Sequence, residues 1–111
     1  MSVYYNVEIR MNGTNKLTDV ILEQIMNILN ADETDVDERE TYSAILFFKS
    51  EEKPTEMRQR VKRCFQHGKP IHYIDVIYRW ETEMNADRFV LWGDGTEKDY
   101  TGKIVFEEDK V

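Results

Sequence analysis

Positions 3 to 11 alternate between apolar and polar. Val3, Tyr5, Val7, Ile9 and Met11 fall on one side, and Tyr4, Asn6, Glu8 and Arg10 on the other. A period of two is that of a strand with one buried face. Asn12-Gly13 ends the run, because both residues tolerate positive φ. The period then lengthens, and a helix is predicted from about residue 16 to residue 30, capped by Thr14 or Asn15. At 100° per residue Leu17, Ile21, Ile25 and Ile28 gather within about 80° of arc, while Leu22, Met26 and Leu29 fall outside that stripe. So wide an apolar arc calls for cover from two sides. The candidates are an extra covering segment or a homodimer through Leu22, Met26 and Leu29.

YSAILFFK (42–49) is apolar at both phases, as an interior strand is. Pro54 suits the first turn of a second helix, about 54 to 67, whose apolar face is Met57, Val61, Cys64 and Phe65. Gly68 and Pro70 stop it. A long strand follows from Ile71 to about Thr82. His72, Ile74, Val76, Tyr78 and Trp80 share its core-side phase; Tyr73, Asp75, Ile77 and Arg79 share the other. RFVLWG (88–93) reads as the next strand, GDGTEKDYTG (93–102) as a polar loop and KIVFE (103–107) as a last strand. Residues 31–41, ADETDVDERET, form an acidic connection with a short ordered piece around Val36, and residues 108–111 a frayed tail.

The predicted order is βαβαβββ in one domain spanning residues 1–111. It describes an α+β two-layer sandwich: a single mixed sheet of about five strands, with both helices mainly on one face and the other face more open. A ferredoxin-like variant is the nearest familiar architecture, and it carries no activity with it.

With 111 residues, 41% of them hydrophobic, the chain has enough material for one modest core. The absence of a long apolar run argues against a membrane span, and the start MSVYYNVEIR against a signal peptide. A single cysteine forms no internal disulfide. A cytoplasmic location is expected, in the host cytoplasm if the chain is viral.

Charge changes the picture most. The net charge is −7, yet residues 53–69 carry Lys53, Arg58, Arg60, Lys62, Arg63 and Lys69 against Glu56 alone. That local +5 leaves −12 for everything else. The basic helix is one candidate site: Arg58, Lys62 and Arg63 could follow a phosphate backbone. Its cations spread over the whole outward face, however, as on any solvated helix. The acidic remainder is the other candidate. Asp35, Asp37, Glu38 and Glu40, with Glu97 and Asp99, could imitate phosphates toward a partner with a basic surface. Trp92 and Tyr100, flanking the Asp94-Gly95 turn, would serve as aromatic anchors or pair across the hairpin.

Catalytic readings are weaker. Cys64 lies on the apolar helix face near a C-terminus that disfavours a thiolate, so it reads as packing. His67 fits a charge–dipole contact, and His72 a packed strand position. One cysteine and two histidines without ligand spacing do not suggest zinc, and the acidic runs lack the register of a calcium loop. No metal or other cofactor is expected.

The leading expectation is therefore a small acidic, non-catalytic interaction protein, an inhibitor or regulator that binds a protein, with a nucleic-acid-handling enzyme as the mimicry target. A nucleic-acid-binding module built on the 53–69 helix comes second, and a small enzyme of unknown reaction third.

Overall fold

The computed structural model of the chain describes residues 4–66, 70–80 and 86–101. They form strand β1 (Tyr5–Gly13), helix α1 (Asp19–Leu29), a 3-10 turn (Glu33–Asp35), strands β2 (Val36–Arg39) and β3 (Ser43–Ser50), helix α2 (Pro54–Cys64), and strands β4 (Ile71–Trp80), β5 (Ala86–Trp92) and β6 (Glu97–Thr101). The six strands make one sheet in the order β2-β3-β1-β4-β5-β6. Every pairing is antiparallel, so the sheet is not mixed. β1 and β2 both flank β3 and are joined through α1. β3 and β4 both flank β1 and are joined through α2. These are two interlocked split β-α-β units, the ferredoxin-like arrangement, extended at one edge by β5 and β6.

The sixth strand is β2, inside the acidic connection. Val36 is its one apolar side chain. It faces the helix side opposite Leu46, and a register shift before Glu38 turns that residue to the opposite face, beside Ile45. The hairpin β5-β6 also differs from expectation. The stretch read as a polar loop contains β6, and the turn closes over Gly93-Asp94-Gly95 with Gly95 N–H bonded to the Trp92 carbonyl and Trp92 N–H to that of Thr96. Gly95 has φ +92°, a conformation open to glycine. KIVFE (103–107) and the tail 108–111 lie outside the described residues.

Register fixes the core. Ile9 on β1 stands opposite Leu46 on β3 and Val76 on β4, and Met11 opposite Ala44 and Ile74. All six are buried, and Leu22, Ile25 and Leu29 of α1 with Met57, Val61 and Cys64 of α2 pack on them as one cluster. Both helices therefore cover the same sheet face. α1 starts three residues later than its pattern suggested. Thr18 is the N-cap, its side chain accepting from the Ile21 N–H. Leu17 is instead buried ahead of the helix, its N–H donating to the Thr41 carbonyl. The centre of the buried stripe is Leu22, Ile25 and Leu29, and Val36 and Ala31 pack beside them. The wide arc is thus largely covered within the chain, with Met26 left partly exposed at its edge. Leu22 and Leu29, offered as homodimer contacts, are core residues, and Met26 is partly buried. Among the described residues no helix is long and apolar enough to cross a membrane.

Candidate functional site

The two rival candidate sites meet each other. Arg58, on the outer side of α2, donates from Nη1 to Glu97 Oε1 at 2.9 Å and from Nη2 to Asp99 Oδ1. Lys62 Nζ lies 3.4 Å from the second Glu97 oxygen. The reason is geometric. Glu97 and Asp99 stand opposite Leu91 and Phe89 on β5, so both project to the helix side of the sheet. The Arg58 guanidinium bridges the gap, 4.5 Å from the centroid of the Phe89 ring. Acids expected to imitate phosphates and bases expected to bind phosphates are here a clasp between α2 and β6.

Arg60 has a similar role at the other end of the layer. Its Nε donates to both Glu52 oxygens, at 2.6 and 2.8 Å, and its Nη1 to the Ile28 carbonyl at 3.1 Å. Ile28 is in the last turn of α1, where carbonyls lack a helical partner. Arg63 is exposed at the end of α2.

Hydrogen bonding from Arg58, with Lys62 behind it, holds the Glu97 carboxyl below the ordinary carboxylate range. A depressed folded pKa contributes stability above the ordinary range, and that contribution disappears as pH falls through the depressed value. Glu97→Gln is therefore expected to melt below the parent at pH 7, with the two melting curves converging in acid. Thermal melts between pH 7 and pH 3 check this. A gap that stayed constant across the series would contradict it.

The remaining acidic candidates lie on the 3-10 turn (Asp35), on edge strand β2 (Asp37 and Glu38) and just beyond it (Glu40). Asp35 serves its own turn. Its carboxylate accepts from Asp32 N–H, while Asp32 accepts from Thr34, completing a capping box. The same Thr34 contacts, its hydroxyl first, keep the Asp32 carboxyl low. Asp37, Glu38 and Glu40 are exposed. Beside them a groove of about 640 Å³ runs between α1 and the 31–39 segment. Leu22, Met26 and Val36 line its apolar part, and Asp19, Glu23, Asp32 and Glu33 its acidic part. The single cation among its described lining residues, Arg39, pairs with Asp19 and donates to the Leu17 carbonyl at 3.1 Å. The groove was not identified from sequence. Its signal was the excess width of the apolar arc on α1 next to an acidic run.

Trp92 and Tyr100 are partly exposed, and both turn to the face without helices. They do not pair with each other: Trp92 stands opposite Tyr73, and Tyr100 opposite Arg88. His72, expected to be packed, is exposed. The cause is a register shift at Asn12/Gly13, which leaves His72 as the extra residue between Ile71 and Tyr73 and turns its ring edge-on to Tyr73 at 5.6 Å. Cys64 is buried, its thiol facing the Arg60 carbonyl at 3.6 Å. His67 lies outside the described residues.

Comparison with models of protein families, with curated proteins and with solved structures finds no match.

Proposed function

We propose that this chain is a non-catalytic interaction module that takes a basic, amphipathic segment of a protein partner into the groove between α1 and β2. The observation that carries the reading is the composition of that groove: four carboxylates around an apolar lining, with its one described cation already held by Asp19 and a backbone carbonyl. A partner with lysines or arginines flanking aliphatic side chains complements both parts. Asp37 and Glu40, exposed on and just beyond the neighbouring edge strand, extend the negative surface. An inhibitor or regulator acting on a nucleic-acid-handling enzyme in the cytoplasm is the finer form of this proposal. The helix alternative is less favoured, because Arg58 and Lys62 face Glu97 and Asp99.

The test uses a lysine- and leucine-bearing helical peptide, titrated into isotope-labelled protein. Amide shifts should concentrate at Leu22, Met26, Ala31 and Val36. Replacing Glu23, Glu33 and Asp37 together with lysine should weaken binding at least about tenfold, since like charges then face each other. Shifts scattered over the acidic surface, or equal affinity in the triple variant, would refute the groove.

A further inference from the structure

The sheet has a second face, on which neither helix packs, and its chemistry is the reverse of the groove's. Register places Phe47, Glu8, Ile77, Arg88 and Tyr100 in one row across β3, β1, β4, β5 and β6. The next row is Ile45, Arg10, Asp75, Val90 and Lys98. Beyond it Tyr73 and Trp92 stand side by side on adjacent strands. Phe47 is 45% exposed, a large apolar ring on an open surface. At about 4.8 Å between strands, Phe47 and Tyr100 are roughly 19 Å apart.

The charge of this face is positive on a chain whose net charge is −7. Among the described residues that register assigns to this face, five bases (Arg10, Lys49, Arg79, Arg88 and Lys98) meet three acids (Glu8, Asp75 and Glu38), a net +2. Depth strengthens the asymmetry. Glu8 and Asp75 are the buried members of their pairs, each 8% exposed, whereas the Arg10 side chain is 56% exposed above Glu8. Lys98 is exposed, its ammonium 4.9 Å from the Tyr100 ring centroid. In both pairs the acid is the less exposed member, and Glu38 is exposed at the sheet edge.

We infer that this open face binds single-stranded nucleic acid, with bases stacked on Phe47 and on the Tyr73–Trp92 pair and phosphates met by Arg10 and Lys98. Rings carried by neighbouring strands of a flat sheet offer separate stacking platforms, which suits splayed bases and not a closed duplex. A second copy of this chain is a poorer occupant, since two such faces brought together oppose +2 with +2. The inference stands apart from the proposed groove, which lies on the helix side and uses none of these residues.

Fluorescence anisotropy with a labelled 12-nucleotide RNA, the same sequence as DNA, and the corresponding duplex tests it. Both single strands should bind and the duplex much less. With two phosphates neutralised, by Arg10 and Lys98, log K should fall with log salt at a slope of about −1.4. Phe47→Ala, at an exposed position, should lose about tenfold in affinity, within the range for one stacked base. Lys98→Gln should lower the salt slope by about 0.7. Arg63→Gln on α2 should change neither. Any of four results would overturn the inference: no binding of either single strand at 50 mM salt, equal binding of duplex, parent-like binding by both face variants, or a stable dimer in sedimentation that Phe47→Ala dissociates. Peptide binding in the groove would be untouched by all four.

Discussion

Tyr78→Ala is expected to destabilise the fold by about 4 kcal/mol, within the range for removing a buried aromatic side chain. Tyr78 is fully enclosed and is the largest such side chain among the described residues. Its ring packs 5.2 Å from that of Tyr5, and its hydroxyl donates to the Glu52 carbonyl at 3.0 Å, on the approach to α2. One residue thus ties β4 to β1 and to the start of the second helix. Domains of this size have a total stability of only about 5–15 kcal/mol, so the variant should sit near its unfolding threshold. Tyr78→Phe separates the ring from the hydroxyl: it keeps the packing, leaves the Glu52 carbonyl without its donor, and should cost about 1 kcal/mol. Urea unfolding of the three proteins measures both steps. Burial also raises the phenol pKa. The unfolded phenol then ionises first as pH climbs past the ordinary tyrosine range, so this residue's stabilising contribution is complete below that range and declines above it. Equal unfolding midpoints for the parent and Tyr78→Ala would contradict this account of the core.

Asp75→Ala should be the next most damaging change, at about 2–3 kcal/mol. The Arg88 fork grips the carboxylate at both ends, Nε to Oδ1 at 3.0 Å and Nη2 to Oδ2 at 2.8 Å. Side-chain exposures of 12% for Asp75 and 19% for Arg88 make this a largely desolvated pair. Removing one partner from such a pair leaves a poorly solvated charge, which costs about 3–5 kcal/mol when burial is complete and less when water retains some access. Substituting both residues with leucine removes the charge with its counter-charge and should recover most of the loss. The comparison of single and double variants in urea is the decisive measurement. A double variant as unstable as Asp75→Ala would mean that the ion pair itself, and not the stranded cation, accounts for the cost.

Much of this architecture was legible from the chain. The period of two in β1 and β4, the doubly apolar β3, and Pro54 opening α2 all mark local choices that the packing later agrees with. β2 was hidden because VDER has one apolar side chain, and an edge strand with a register shift shows no alternation. β6 was hidden because EKDYT is polar at nearly every position; its helix-side residues are held by α2 cations and not by a hydrophobic phase. Leu17 misled the helix start because a residue ahead of a helix can also be buried, here with its N–H bonded to the Thr41 carbonyl. The candidate sites were less legible for a related reason. Arg58 and Glu97 are 39 positions apart, and only the strand order brings them together. Alternation placed Tyr73, Asp75 and Arg79 on the more open face. It could not show that Phe47 shares that face, or that Glu8 and Asp75 are less exposed than the arginines they pair with.

The place of β1 has a consequence for how the chain comes off the ribosome. β1 precedes the other described strands in the chain yet is an interior one, between β3 and β4. One of its sides has no partner until residue 50 has emerged, and the other waits until residue 80. Throughout that interval an apolar ribbon is exposed to neighbours and chaperones. Closure around β1 is therefore expected only once β4 is available, with the β5-β6 hairpin adding to a sheet whose centre has already formed.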